Sequence, residues 1–219
     1  MQAMLDAGQA LTDAAQALLR PAFSLLGSPV SWLELLAVIV ALAMVAANMR
    51  VHPVAWPLAI ISSLMYAWLF ADVKLYGEAG LQGLFIVVAF WGWWQWLRGQ
   101  AADGGTLRVH TLTHRQRWTA LAATLAAWPL LGLLLARFTD SQVPFMDALP
   151  TVGSITGQLL LARKCIENWA VWLVVNILSV GLFAYKELWL TAMLYALFAV
   201  LSVVGWRAWK ARLRPDAIH

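Results

Sequence analysis

The stretch Glu167-Asn168-Trp169-Ala170-Val171-Trp172-Leu173-Val174-Val175-Asn176-Ile177-Leu178-Ser179-Val180 decides how this chain is read. It is an apolar run that carries two indoles and, at helical spacing from them, the neutral polar side chains of Asn176 and Ser179. Trp169, Trp172 and Asn176 fall on one helical face, and Ser179 extends the polar stripe. An amide several residues inside an apolar helix is expensive in lipid, so Asn176 must face a bundle or a cavity.

Outward from this run the whole chain has the same character. Hydrophobic residues make up 62% and charged residues 12%, against roughly 45–50% and about 25% in soluble domains. Too much apolar surface would be left in water, so the fold class is an all-α membrane protein whose backbone groups are paired within helices. Seven apolar stretches, at about 32–49, 54–71, 79–97, 117–137, 146–162, 169–185 and 188–209, approach the roughly 17 to 25 residues a bilayer requires. Residues 1–27 are too polar to span. Met4, Leu11, Leu18 and Leu25 recur every seven residues there, which predicts an amphipathic helix at the interface.

Shifting the chain against itself reveals an internal repeat. A shift of 116 residues lays Trp56 on Trp172, Ile61 on Ile177 and Ser63 on Ser179, and a shift of 115 lays Leu75 on Leu190, Trp91 on Trp206 and Trp94 on Trp209. Equivalent points are separated by an even number of crossings, so the halves share one orientation. This is a parallel 3+1+3 repeat of the kind found in SWEETs, with a substrate site expected near the midplane between the halves. The chain divides into an N-terminal segment at 1–30, a first three-helix repeat at 31–97, a cytoplasmic loop and linker helix at 98–138, a second repeat at 139–210 and a tail at 211–219.

Charge sets the orientation. Arg20, Lys74, Arg137 and Lys186 lie on the N-terminal side and the other eleven basic residues on the opposite side. The positive-inside rule puts the N-terminus outside and the C-terminus in the cytoplasm. The net charge of +4 is thus a matter of topology, and nucleic acid is not an expected partner. Trp93, Trp94 and Trp96 beside Arg98, and Trp206 and Trp209 beside Arg207 and Lys210, read as an interfacial aromatic belt.

Gln82 is another neutral polar residue inside a span, with an amide that both donates and accepts. Tyr195 adds a ring and a hydroxyl. With Trp169, Trp172 and Asn176 these form the candidate substrate site: indoles and amides suited to a flat, weakly charged or cationic aromatic solute. Glu34 is the one acidic residue expected to enter the membrane region, so passive, uncoupled transport is the simpler mechanism. One cysteine, Cys165, excludes an internal disulfide, and His110 and His114 lack a third ligand for a metal. No cofactor is expected. A membrane enzyme would need an acid–base pair or carboxylate cluster, and Asp72, Asp140, Asp147 and Glu167 are scattered over different loops.

Three runs carry a family resemblance: Val73-Lys74-Leu75-Tyr76 on to Gln82, Trp91-Gly92-Trp93-Trp94-Gln95-Trp96, and Arg163-Lys164-Cys165-Ile166-Glu167-Asn168-Trp169-Ala170-Val171-Trp172 on to Asn176 and Ser179-Val180. Over about residues 30 to 210 the chain resembles the PnuC-type vitamin transporters. The resemblance implies facilitated diffusion of nicotinamide riboside, with trapping inside by phosphorylation, through a SWEET-like fold assembled as a homotrimer. Relatives that take thiamine or riboflavin keep the identity of the solute open.

Overall fold

The computed structural model describes residues 16–25, 28–72, 76–100, 104–139, 143–185 and 189–213. Seven long helices dominate: α1 (Trp32–Met49), α2 (Ala55–Asp72), α3 (Tyr76–Arg98), α4 (His114–Phe138), α5 (Pro144–Ala162), α6 (Asn168–Tyr185) and α7 (Trp189–Lys210). Each begins and ends within about three residues of the corresponding apolar stretch. Helices α1, α4, α6 and most of α7 combine the length and apolarity needed to cross a membrane, and α2 contains a shorter apolar helix. Local chemistry marks the starts. Ser31 caps α1 by accepting from the Glu34 amide at 3.1 Å, and Thr113 and Gln116 form a reciprocal capping box on α4.

The N-terminal segment departs from expectation. Residues 16–19 are helical, but β1 (Pro21–Leu25) and β2 (Ser28–Ser31) form an antiparallel hairpin where an amphipathic helix was expected. Pro21 has no amide hydrogen to continue a helix and Pro29 is confined to edge strands, so the leucine spacing is overruled. Met4 and Leu11 lie outside the described residues.

The repeat is present, at a shift of 113 residues instead of 115 or 116. That shift carries α1 onto 145–162, α2 onto 168–185 and α3 onto 189–211, close to the bounds of α5, α6 and α7. The connecting turns repeat bond for bond. His52 N donates to Ala47 O as Cys165 N does to Leu160 O, both at 3.0 Å, and Ala55 N donates to His52 O as Asn168 N does to Cys165 O. Val51 and Lys164, also 113 apart, both take positive φ, 56° and 55°. For a β-branched valine that backbone is an outlier.

Packing between the halves is reciprocal: α3 lies against α5, and α7 against α1. The third helix of each half embraces the first helix of the other, the pattern of a twofold relation. The linker α4 packs on α5.

Candidate functional site

At the seam between the halves, four indoles form a continuous layer. Trp56 meets Trp96 edge-on with centroids 5.5 Å apart, Trp96 meets Trp209 at 6.2 Å, and Trp209 meets Trp169 edge-on at 5.7 Å. The two edge-on pairs are images of each other under the 113-residue shift. Two glycines make the approach possible. A Cβ on Gly92 would overlap the Trp56 ring and one on Gly205 the Trp169 ring, and these two positions are again 113 apart. Trp96 donates its indole N–H to Leu161 O at 3.1 Å, and Trp209 to Asn48 O at 2.8 Å.

These contacts correct the reading of Trp96 and Trp209 as belt residues. They are 6% and 0% exposed, and they hold the two halves together. Trp94, 55% exposed, does occupy the outer surface.

Beside this layer lies a cavity of about 210 Å³, walled by both halves. Trp169, Trp172, Asn176 and Tyr195 line it, as the sequence predicts; Gln82 does not. Under the 113-residue shift Gln82 is the counterpart of Tyr195, and it is half-buried. Asn176 is tied sideways as well, its amide donating to Ser202 Oγ at 3.1 Å, and Ser202 donating in turn to Phe198 O. One arm of Asn176 is therefore an interhelical link. Tyr195 stacks on Phe183 with centroids 5.1 Å apart.

Asn48, Gln158, Asn168 and Ser202 line the cavity too and are buried, yet sequence reasoning did not select them. Gln158, the one amide side chain in the span Pro144–Ala162, was the available signal. Asn48 and Asn168 stand at helix ends, where a polar residue looks interfacial. Asn48 Oδ1, Asn168 Oδ1 and Trp169 Nε1 are buried and, among the described residues, have no hydrogen-bond partner. Buried unpaired groups of this kind cost about 1–3 kcal/mol each, and a polar solute beside them would relieve that cost.

The walls are chemically lopsided. Where the second half presents Gln158, Asn168, Trp172 and Ser202, the 113-residue shift finds Val45, Ala55, Ala59 and Ala89 in the first. No Asp, Glu, Lys or Arg lines the cavity among the described residues.

At the α5–α6 turn the loop preceding α4 is stitched down. His110 N donates to Lys164 O at 3.2 Å and its carbonyl accepts from Ile166 N at 2.9 Å. Glu167 Oε1 accepts from the Leu112 amide at 3.0 Å and pairs with Arg117 Nη2 at 2.8 Å. Lys164 Nζ sits 5.0 Å from the Trp96 ring centroid and donates to Leu107 O; burial lowers its pKa. The Cys165 thiol is pushed up to about 12, first by burial and then by Glu167.

A pseudo-twofold helical bundle with an uncharged, aromatic cavity at its seam defines a membrane transporter for a small organic solute. The family model for the nicotinamide mononucleotide transporter matches residues 31–211, and the chain belongs to that family, the PnuC-type vitamin transporters. It is 31% identical to the riboflavin/roseoflavin transporter RibM of Streptomyces davaonensis, over 90% of this chain and 92% of that protein. It is 29% identical to the nicotinamide riboside transporter PnuC of Neisseria mucosa, over 83% and 73%, and 23% identical to that of Escherichia coli, over 84% and 87%. The crystal structure of the vitamin B3 transporter PnuC superposes with a TM-score of 0.67 at 28% identity, over 82% of this chain and 81% of that one.

Proposed function

We propose that this vitamin transporter admits nicotinamide riboside to the cytoplasm by facilitated diffusion. The observation that carries the reading is the wall of the cavity, where indoles stand beside neutral amides with no fixed charge among the described residues. Indole faces attract a pyridinium ring through their quadrupole, and the unpaired Asn48 and Asn168 oxygens offer acceptors to ribose hydroxyls or a carboxamide. Trp169, Trp172, Asn176 and Tyr195 are the proposed contacts in the cavity, with Gln82 reaching it only after some movement. The uncharged wall favours a uniporter over an ion-coupled pump.

In this reading all seven helices span the inner membrane as a parallel 3+1+3, SWEET-like arrangement about an axis along the membrane normal. The N-terminus lies outside and the C-terminus in the cytoplasm, as the distribution of Lys and Arg supports. A homotrimer follows from the family resemblance. The outer face of α4, with exposed Leu130, Leu133 and Phe138, offers apolar surface to lipid or to another copy.

Riboflavin is the second reading, favoured by the likeness to RibM. Against it stands the cavity volume of about 210 Å³, below the roughly 300–1,000 Å³ typical of drug-sized ligands, which suits one ring and a sugar better than a tricycle. Titrating purified protein with nicotinamide riboside, thiamine and riboflavin tests the assignment. Tightest binding of the riboside supports it; riboside affinity below that of riboflavin overturns it.

A further inference from the structure

Asn48 is held from one side and unpaired on the other. Its main-chain oxygen accepts the Trp209 indole N–H at 2.8 Å, a bond that spans from the last helix of the second half to the first helix of the first. Its side chain lines the cavity, is 6% exposed, and leaves Oδ1 without a partner among the described residues. The mirror bond, Trp96 to Leu161 O, ends on a residue whose side chain cannot hydrogen-bond. Both acceptor residues line the cavity, but of the two bonds seen between the halves among the described residues, only the one to Asn48 ends on a residue whose side chain can hydrogen-bond a solute.

We propose that Asn48 is the positioning residue through which a bound solute acts on the inter-half lock: a hydroxyl or amide donor of the solute bonds Asn48 Oδ1, and the end of α1, to which Trp209 of α7 is bonded, shifts with it. The proposal rests on the transporter reading above and adds to it a residue and a direction of coupling. Because the Trp209 bond is made to the main chain, replacing the Asn48 side chain removes solute contact while leaving the lock itself in place. Trp209→Phe does the reverse, removing the indole donor and keeping an aromatic ring.

The test uses full-length protein in lipid nanodiscs, with nicotinamide riboside and riboflavin as probes. Asn48→Leu, which installs the residue found at the mirror position, is expected to bind its solute about tenfold more weakly than wild type. Amide hydrogen exchange over residues 44–56 is expected to change when wild type is saturated with solute. The same saturation should leave that segment unchanged in Asn48→Leu. Trp209→Phe is expected to raise exchange over 44–56 without solute and, because the coupling is reciprocal, to shrink the further change on saturation. Should Asn48→Leu fail to fold, Asn48→Ser takes its place, and the exchange response of wild type stands on its own. Unchanged affinity in the Asn48 variants, or no response of 44–56 to solute in wild type, overturns the role of Asn48 alone. Failure of wild type to bind either probe overturns the transporter assignment of the cavity and this proposal with it.

Discussion

Trp209 donates its indole N–H to Asn48 O at 2.8 Å, and 113 residues earlier Trp96 donates to Leu161 O at 3.1 Å. The fold thus closes on itself twice, by one bond used in both directions, and each closing indole is held edge-on by the tryptophan that opens the second helix of its own half. The same seam is filled by a buried apolar cluster that includes Ala89, Leu161, Ala162 and Ile166 beside the four indoles, so the two hydrogen bonds add direction to packing that is otherwise non-directional.

The symmetry of the lock makes its energetics testable. Trp96→Phe and Trp209→Phe each remove one indole donor and leave a buried carbonyl less satisfied, so each should lower stability by about 0.5–1.5 kcal/mol. Thermal unfolding in detergent should give similar losses for the two. A loss confined to one of them would show that the halves do not share the seam equally.

Close packing at the glycines predicts a larger effect. Gly92→Ala and Gly205→Ala drive a methyl into the rings of Trp56 and Trp169, and overpacking of this kind costs about 1–3 kcal/mol. Gly80→Ala, which meets nothing within 4 Å, is the control and should unfold with wild type. Equal melting temperatures for all three variants would contradict the described packing.

In the cavity, Asn176 has both a structural and a proposed binding task, and Ser202 separates them. Asn176→Leu and Trp172→Ala should raise the dissociation constant about three- to a hundredfold, at 1.4 kcal/mol per decade. Ser202→Ala removes the partner of the interhelical link at a residue that also lines the cavity, and leaves the Asn176 amide in place. It should lower the melting temperature in step with Asn176→Leu and change affinity far less. If both variants shift affinity equally, Asn176 acts by holding α6 against α7 and not by touching the solute.

Cys165 supplies a clean probe of the stitched turn, since it is the one cysteine in the chain and is 1% exposed. Its thiol pKa near 12 leaves almost no thiolate at pH 7 or even at pH 9, so maleimide labelling of folded protein should be slow at both. Labelling should become rapid in denaturant. Fast labelling of the native protein at pH 7 would mean that the loop before α4 is not docked on the α5–α6 turn.

Much of this fold was legible because bilayer-length apolar runs leave little freedom: the seven helices begin and end near the stretches that announced them. The repeat was legible too, but its register was misread by two or three residues. The cause is helical geometry. With 3.6 residues per turn, positions three apart share a face, so matching Trp56 to Trp172 still laid indole on indole when the structural counterpart was Trp169. Trp96 and Trp209 were misplaced for a different reason. A tryptophan next to Arg or Lys at the end of a span looks the same in sequence whether it faces lipid or the other half of the molecule. Asn48 was passed over on similar grounds, since its unpaired oxygen and its bond to Trp209 join residues far apart in the chain. At the N-terminus a heptad of leucines outweighed Pro21 and Pro29, whose missing amide hydrogens were the better guide.

The central claim, passive entry of nicotinamide riboside through this chain, is tested most directly by uptake of labelled riboside into proteoliposomes containing the purified protein and no ion gradient. The account predicts saturable uptake that stops when inside and outside concentrations are equal, is indifferent to an imposed proton or sodium gradient, and is slowed by Trp172→Ala. Absence of uptake above that of protein-free liposomes, or accumulation beyond equilibrium that depends on a gradient, would contradict it.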